Sequence, residues 1–589
     1  MAGPFTDLSS FVRFLEEKGD LKRIRAEVDP RLEITEIAVR SVKAGGPALL
    51  FENVKGSSFP LLINLFASPR RIEWALGRSP AQAGEEIKSF FEDMRAPSLA
   101  GLWRQRGFLR RAAAFRPARL RRGPVLEVSE EPDLDPFPIL TCWPGDGGRF
   151  LTFPLVTTRS PVNGVSNTAV YRMHVHDKTT TGMHWQIHRG GGFHYYEAER
   201  LGKPLPLAAV LGADPITMMS AVLPLPEDLD ELAFAGFLRG RATRTVRLSN
   251  GVEVPADAEI VLEGEVLPNE RRSEGPFGDH FGHSSRAAPF PVFHVRRVHR
   301  RKHAIYPASV VGKPPQEDKF LGNAAQEMLV PILKVLHPEL VDLRAYYEAG
   351  FHNLAVAAVK QRYRKEAVRT ALWLFGEGQM SLTKCIVLVD PGVNVRSFEA
   401  VLDALREHFD PRDDLILLPG TAQDTLDFTG PAMNLGSKMI LDATSFGKDR
   451  SGLPKPTPMP SFTGGMTWRI WRDSLLAVQV KEDAKSVLER LVRDPAVAGY
   501  RLVAAVSPDV PLDDPELLLW GIFTRFDCAR DLVPAKSSFA AGGAWPVFEG
   551  PIGIDATWKP GYHEPLAMDP EIVSRVDRRW REFEISATP

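Results

Sequence analysis

The stretch TRTVRLSNGVEVPADAEIVLEGEV, residues 243–266, decides the fold of the middle of the chain. Apolar and polar residues alternate on both sides of Ser-Asn-Gly, which is typical of two half-buried strands joined by a tight turn. The same alternation recurs in AVYRMHVH at 169–176 and in FPVFHVRRVHRRKHAIY at 290–306. We therefore predict a β-rich domain, a barrel or a sandwich, over residues 125–315, with one helix near DLDELAFAGFLRG at 228–240.

Residues 1–124 combine helical periods with short apolar runs, and they predict a small α/β region. The first helix is expected to begin near Asp7 or Ser9, because both residue types are good N-caps. An arginine-rich stretch follows, with eight arginines from Arg104 to Arg122. Its composition indicates a solvated helix or inserted connector, or alternatively a patch for anionic lipid or another subunit.

Beyond residue 315, strand-like and helical segments alternate. The strand-like runs include NLAVAAVK at 353–360, KCIVLVD at 384–390 and DLILLPG at 414–420, a spacing that predicts a parallel sheet covered by helices. The order then recurs in SLLAVQVK at 474–481, FDCARDLVP at 526–534 and IDATWKPG at 554–561. We predict an α/β domain over 316–460 and a second α/β unit over 461–589, related by internal duplication.

Bulk composition excludes several classes of protein. The 589 residues carry a net charge of -1, so no global field attracts nucleic acid. Three widely spaced cysteines exclude a disulfide framework and a multi-cysteine zinc site, and they suit a reducing cytoplasm. No apolar run approaches the roughly 20 residues of a membrane span. The composition predicts a cytoplasmic multidomain protein.

The segment NTAVYRMHVHDKTTTGMHWQIHRGGG, residues 167–192, concentrates polar chemistry. Arg172, His174 and His176 share one strand face, because side chains alternate with period two. A turn near DKTTTG would return the chain and bring Asn167 close to His188. Asn and His both bind divalent cations, and a carboxylate usually completes such a site. The spacing is compatible with two interpretations of this segment, a metal site and a hydrogen-bonded strand pair.

Two glycine-containing loops add further candidates. The glycines at 190–192, preceded by Arg189, would let backbone N–H groups approach a phosphate, although a simple turn explains them equally well. In SEGPFGDHFGH, residues 273–283, Glu274 and Asp279 could share an arginine and so differ in protonation. One acid would then serve as a general acid; the alternative is an acidic surface turn.

Taken in order, several motifs resemble the UbiD family of reversible decarboxylases, which use prenylated FMN. They are LSSFVRFLEEKGDLKRI at 8–24, SNTAVYRMHVHDKTTTGMHWQIHRGG at 166–191, ELAFAGFLRG at 231–240, EIVLEGEV at 259–266 with SEGPFGDHFGH at 273–283, LGSKMILDAT at 435–444 and DPEIVSRVDRRW at 569–580. The resemblance covers most of the chain. It implies an α/β multidomain fold with a central, split β-barrel-like flavin-binding domain.

The resemblance also assigns roles to individual residues. It implies that Asn167, His188 and Glu231 bind Mn²⁺ or a similar divalent cation against the cofactor phosphate, and that a potassium ion accompanies it. It implies a charged network of Arg172, Glu274 and Asp279, with Asp279 as the proton donor. The residues expected to contact the prenylated flavin are Val170, Tyr171, Arg172, Trp185, Gln186, Arg189, Gly190 and Lys438.

The function implied is decarboxylation of an aromatic acid, with the cofactor as electron sink. Asp279, rather than glutamate, resembles the branch of the family that acts on hydroxyaryl acids, and this implies a substrate of the quinone-precursor type. An α,β-unsaturated acid or another aryl acid is the alternative substrate. The implied partners are a flavin prenyltransferase as cofactor supplier and further copies of the chain, with peripheral membrane contact also open. Two other hypotheses are a flavin-binding partner without turnover and a metal-dependent hydrolase built on His174 and His176.

Overall fold

The computed structural model of the protein describes residues 5–95, 113–186, 189–226, 229–457, 466–540 and 546–585. They belong to two compact units, one drawn from residues 1–329 and 564–589 and the other from residues 330–563. Within these described ranges, no helix is both long enough and apolar enough to cross a membrane. The four-part division predicted from the sequence stays a prediction.

The first unit is built around β-strands, as the alternation in its sequence predicts. Its strands are β1 (Leu21–Ile24), β2 (Ala48–Phe51), β3 (Leu61–Ile63), β4 (Ala118–Leu120), β5 (Val128–Glu130), β6 (Phe150–Leu151), β7 (Leu155–Arg159), β8 (Ser166–Val170), β9 (Met173–His174), β10 (Thr180–Gly182), β11 (Leu205–Leu211), β12 (Arg244–Arg247), β13 (Glu253–Pro255), β14 (Ile260–Glu274), β15 (Phe277–Gly278), β16 (Ser284–Ser285), β17 (Ala288–Arg300) and β18 (Tyr306–Pro307). Its helices up to the second unit are α1 (Leu8–Glu17), α2 (Glu33–Lys43), α3 (Pro69–Leu76), α4 (Pro80–Arg95), α5 (Gly190–Arg200), α6 (Pro215–Ser220), α7 (Glu231–Arg239) and α8 (Glu317–Leu336), the last of which runs into the second unit.

A seven-stranded antiparallel sheet forms the centre of this unit. Its order is β10, β17, β14, β11, β7 and β8, with β5 also paired to β17. Among the described residues this path is open, so the sheet is not a closed barrel. β7, β11 and the first half of β14 are largely buried, which makes the sheet a firm support for the polar residues at its edge strand β8.

The opening stretch folds as its pattern predicts. β12 and β13 pair antiparallel across a turn in which the Leu248 N–H donates to the Val252 carbonyl at 2.9 Å. Gly251 has a φ of 90°, a conformation that favours glycine. Near the N-terminus, Asp7 caps α1 by accepting from the Ser10 N–H at 2.7 Å. This contact confirms the predicted start of the first helix.

The second unit contains two five-stranded sheets. The first consists of β19 (Leu340–Ala345), β20 (Ala355–Val359), β21 (Cys385–Val389), β22 (Leu415–Ala422) and β23 (Leu435–Asp442). The second consists of β24 (Trp468–Trp471), β25 (Leu475–Gln479), β26 (Leu502–Val506), β27 (Leu532–Phe539) and β28 (Pro546–Ala556). Their helices are α9 (Glu366–Leu374), α10 (Phe398–His408), α11 (Pro411–Asp414), α12 (Ala484–Leu491) and α13 (Pro515–Phe523).

The two sheets share one topology. Strand order is β19, β20, β21, β23, β22 in the first and β24, β25, β26, β28, β27 in the second. In both, the three inner strands are parallel and the two outer strands are antiparallel to their neighbours. Asp442 accepts from the Thr444 hydroxyl at 2.6 Å, and Asp555 accepts from the Thr557 hydroxyl at the same distance. The shared topology and this repeated contact support the predicted internal duplication.

After the second sheet the chain returns to the first unit. The last helix, α14 (Pro570–Arg579), packs on α2. Arg40 bonds Asp577, and Arg579 bonds the buried Glu33, each at 2.6 Å. The segment before this helix also reaches the central domain, because the Leu566 N–H donates to the Gly282 carbonyl at 2.9 Å.

Candidate active site

Asn167 and Glu231 meet where edge strand β8 contacts the start of α7. Asp230 caps this helix by accepting from the Leu232 N–H, which leaves the next residue, Glu231, pointing at β8. The Asn167 Nδ2 donates to Glu231 Oε1 at 2.8 Å, and the Thr168 N–H donates to Glu231 Oε2 at 2.7 Å. Two of the three predicted metal ligands are thus in direct contact.

The electrostatics of this pair suit a cation. Burial raises the pKa of Glu231 to about 8, although the Thr168 backbone bond lowers it. The Asn167 Oδ1 atom is buried and has no hydrogen-bond partner. A divalent ion would use that oxygen and favour the ionised carboxylate. The third predicted ligand, His188, lies outside the described residues.

The glycines at the start of α5 form a close-packed cradle. A Cβ on Gly190 would lie 2.8 Å from Asn167 Cγ, and a Cβ on Gly191 would lie 2.7 Å from the Trp185 ring and 3.0 Å from the Tyr171 hydroxyl. Arg189 is the N-cap of this helix. The helix N-terminus, the arginine and the Asn167–Glu231 pair therefore lie together, an arrangement suited to a phosphate.

Buried polar atoms without hydrogen-bond partners occur at this cradle and, for His176 and Glu274, beside Gly182. Such atoms are rare in folded proteins and usually mark a missing ligand, ion or water. They belong to Asn167 (Oδ1), Tyr171 (hydroxyl), His176 (Nε2), Trp185 (Nε1), Arg189 (Nε) and Glu274 (Oε2). Five of the six lie in the segment of residues 167–192, and Glu274 belongs to the predicted charged network. The residues present therefore fit a polar cofactor with a phosphate group.

A charged network occupies the far end of β14. Arg172 Nε donates to Glu274 Oε1 at 3.1 Å, and the same oxygen is 2.9 Å from His184 Nδ1. The guanidinium also reaches Ser285 Oγ at 3.3 Å and stacks 4.7 Å above the Phe277 ring. Arg172 is consequently fixed from three sides. Sequence reasoning predicted the Arg172–Glu274 pair but not the contacts that His184 and Ser285 make with it.

The ionised form of Glu274 is strongly favoured. Burial by itself would raise the pKa of this carboxyl, but His184 and Arg172 together lower it to about 2. Glu274 is therefore a fixed anion at neutral pH and not a proton donor. Its role is to hold Arg172.

Asp279 lies in the loop of the β15–β16 hairpin, residues 277–285. Its side chain is buried, and Oδ1 accepts from the Phe281 N–H at 2.8 Å. The Asp279 N–H donates to the His283 carbonyl at 3.1 Å. Phe277 and Ser285 pair with each other in the two strands of this hairpin, and both contact Arg172, so the hairpin that carries Asp279 packs against the Arg172–Glu274 pair.

Among the described residues, His174 and His176 belong to no group that could hold a metal. His174 Nδ1 is 3.3 Å from the Gly275 N–H, and its ring stacks on Phe150 with centroids 4.4 Å apart. Burial lowers the pKa of both histidines, that of His176 to about 4. Within the described ranges, no group of three or more His, Cys, Asp or Glu side chains is placed to hold a metal. This arrangement argues against the hydrolase hypothesis.

Val170, Gln186 and Lys438 are the other residues predicted to contact the flavin. Val170 ends β8 beside Tyr171, and its N–H donates to the Ala221 carbonyl at 3.3 Å. The Gln186 carbonyl lies next to the glycines of α5. Lys438 lies on β23 in the second unit, where Nζ donates to two backbone carbonyls and burial lowers its pKa to about 8. Its contact with the cofactor stays a prediction.

Three family models of 3-octaprenyl-4-hydroxybenzoate carboxy-lyase match consecutive parts of the chain. The N-terminal domain matches residues 12–91, the Rift-related domain residues 117–314 and the C-terminal domain residues 319–443. A 4-hydroxybenzoate decarboxylase component of Chlamydia pneumoniae is 38% identical over 581 residues, which are 98% of this chain and 98% of that protein.

Two solved structures share the fold. The vanillic acid decarboxylase of Sedimentibacter hydroxybenzoicus in its closed form has a TM-score of 0.67 and 26% identity, covering 79% of this chain and 96% of its own. An evolved dimeric form of the UbiD-class enzyme HmfF from Pelotomaculum thermopropionicum, in complex with prenylated FMN, has a TM-score of 0.62 and 27% identity, covering 76% and 97%. The chain belongs to the UbiD family and is a carboxy-lyase of that class.

Proposed function

We propose that the protein catalyses the reversible, non-oxidative decarboxylation of a hydroxyaryl acid related to quinone precursors. The observation that carries this proposal is the Arg172–Glu274 pair, whose arginine contacts Phe277 and Ser285 of the hairpin that carries the buried acid Asp279. The names of the similar proteins support an aromatic acid, since they refer to 4-hydroxybenzoate and vanillic acid. An α,β-unsaturated or other aryl acid is the alternative substrate.

Prenylated FMN would be held at the cradle of the first unit. Asn167 and Glu231, with His188, would bind Mn²⁺ or a similar cation against its phosphate, accompanied by a potassium ion. Arg189 and Gly190 would approach the phosphate, and Tyr171 and Trp185 would line the ring system. When bound, the prenylated flavin supplies a sink for the electron pair released as carbon dioxide leaves.

The protein's own residues bind the substrate, orient its carboxylate and supply the proton. Arg172 pairs with the substrate carboxylate, and Glu274 keeps the guanidinium aligned by bonding Nε from behind. A carboxyl that is ionised throughout the physiological range cannot return the proton, so we assign that step to Asp279. The proton passes to the ring carbon that loses carbon dioxide, and Asp279 is then reprotonated from solvent.

The proposal extends to the cellular setting. A flavin prenyltransferase supplies the cofactor, the protein works in the cytoplasm, and several copies of the chain assemble into a homo-oligomer. The arginine-rich stretch is described only from residue 113, and we do not extend the proposal to a membrane contact.

The test is the Asp279→Asn variant, produced together with a flavin prenyltransferase. We expect carbon dioxide release from hydroxybenzoic acids to fall at least ~10³-fold, within the range lost with a general acid and its positioning. Cofactor content, measured by absorbance and mass, is expected to stay at the wild-type level. Near-normal turnover would contradict the proton-donor role. Stoichiometric cofactor without turnover in the wild type would favour a flavin-binding partner.

A further inference from the structure

The loop of residues 142–148 contacts the hairpin that carries Asp279. Asp146 Oδ1 accepts from the Gly278 N–H at 2.8 Å, and the Gly147 N–H donates to the Pro276 carbonyl at 2.8 Å. The Trp143 ring covers Gly278 so closely that a Cβ on this glycine would lie 2.2 Å from the Trp143 Cδ1 atom. The residue directly before Asp279 is therefore enclosed by this loop.

Asp146 is matched to this position by its two acceptor oxygens, although burial raises the pKa of its carboxyl to about 6. Its second oxygen, Oδ2, accepts from the Cys142 N–H at 2.9 Å and from the Trp143 N–H at 2.8 Å. Three backbone donors thus converge on one carboxylate, which has only acceptors to offer. An asparagine could satisfy the donors on one side only, because its amide nitrogen cannot accept. The carboxylate links the loop backbone to the hairpin backbone.

The opposite side of the hairpin is held by a different segment. The Ser284 N–H donates to the Glu564 carbonyl at 2.8 Å, and the Leu566 N–H donates to the Gly282 carbonyl at 2.9 Å. These bonds keep the outgoing strand of the hairpin in place without help from Asp146. Loss of the Asp146 carboxylate would therefore loosen the incoming strand at Gly278, next to Asp279, while the pairing with β16 keeps the hairpin folded.

We infer that Asp146 is a positioning residue for the proton donor, fixing Asp279 through the Gly278 N–H. This inference rests on the proposed function, in which Asp279 returns the proton. General acid catalysis requires the donor within hydrogen-bond reach of the carbon it protonates, and a displacement of about 1 Å costs roughly 100-fold. The hydrogen bonds of the Asp146 carboxylate go to backbone N–H groups, so its loss is expected to act mainly on the position of Asp279 and hence on the proton step.

The test compares Asp146→Asn with Asp135→Asn, a control in the same region whose carboxylate pairs with Arg149 and Lys178 at the surface. Hydrogen exchange is measured by mass spectrometry on the protein without cofactor. We expect exchange to accelerate at least ~10-fold in peptides covering residues 275–281 and to stay unchanged outside this hairpin and the loop of residues 142–148. The Asp135→Asn variant is expected to exchange like the wild type.

Kinetics on the loaded enzyme give the second measurement. For Asp146→Asn we expect kcat to fall roughly 10- to 100-fold, KM to change less than about 3-fold and the solvent deuterium isotope effect on kcat to increase. Cofactor content should not change. Gly147→Ala, whose Cβ would lie 2.2 Å from the Gly275 carbonyl oxygen, should give the same signature with Asp146 intact.

Each outcome has a distinct meaning. Unchanged exchange in residues 275–281, or a kcat loss accompanied by lost cofactor and faster exchange throughout the unit, overturns the positioning role. Local acceleration of exchange with a normal kcat and isotope effect also overturns it. If Asp279→Asn is fully active while Asp146→Asn still loosens residues 275–281, the proposed function has failed and only the structural link survives.

Discussion

Replacing Glu274 with glutamine removes the fixed anion of the charged network while preserving its shape. The pKa of Glu274 falls from an ordinary 4.5 to about 2. At about 1.4 kcal/mol for each tenfold change in proton affinity, this corresponds to ~3 kcal/mol in favour of the ionised side chain. Glutamine mimics the neutral form, so Glu274→Gln is expected to lower the free energy of unfolding by about 3 kcal/mol at pH 7.

The sign of this effect with pH follows from the direction of the shift. The folded pKa is lowered, so the stabilisation is complete above about pH 4.5 and is lost as the pH falls toward 2. Urea unfolding, followed by tryptophan fluorescence at pH 7 and again near pH 4, should show a difference between variant and wild type that shrinks at the lower pH.

Glu265→Gln provides a matched control on the same strand. Glu265 pairs with Arg296 at 2.8 Å, but both side chains are partly exposed to solvent. Pairs of this kind contribute at most about 1 kcal/mol. If Glu274→Gln costs no more than Glu265→Gln, or if its cost does not depend on pH, the account of the network as a buried, charge-locked unit is wrong.

Three further predictions concern the metal and phosphate end of the site. Gly190→Ala should reduce bound cofactor at least ~10-fold, because its Cβ would displace Asn167, whereas Gly392→Ala, with open space around it, should bind normally; equal cofactor content in both would contradict the cradle. Glu231→Gln should lose most bound divalent metal as measured by elemental mass spectrometry, and full metal content would remove it from the ligand set. His174→Ala should retain that metal, and metal loss in this variant would instead favour the histidine-based hydrolase.

The parts of the fold that depend on residues near each other in the sequence could be predicted. The hairpin around Ser249–Gly251, the Asp7 cap of α1, the helix beginning at Glu231 and the two similar α/β sheets all follow from periodicity, turn residues or repetition within the sequence. Such features are fixed by contacts between residues that are near each other along the chain, so their patterns are visible without a structure.

The site was predictable only in part, because much of it depends on contacts between distant residues. Motif order suggested Arg172 and Glu274, yet nothing local to His184 indicated that it shares the same carboxylate oxygen. The link from Asp146 to Gly278 spans 132 residues, and the return of residue 566 to the hairpin spans far more. Such pairings depend on tertiary packing, which no periodic pattern records.

The most direct measurement is carbon dioxide release from a panel of hydroxybenzoic acids by protein produced with and without a flavin prenyltransferase. Mass spectrometry would confirm the cofactor in each preparation. We expect turnover only in the preparation that carries the prenylated flavin, with deuterium from D₂O appearing at the carbon that lost its carboxylate. Equal turnover in both preparations, or none from a fully loaded enzyme, would contradict a site built to use this cofactor for decarboxylation.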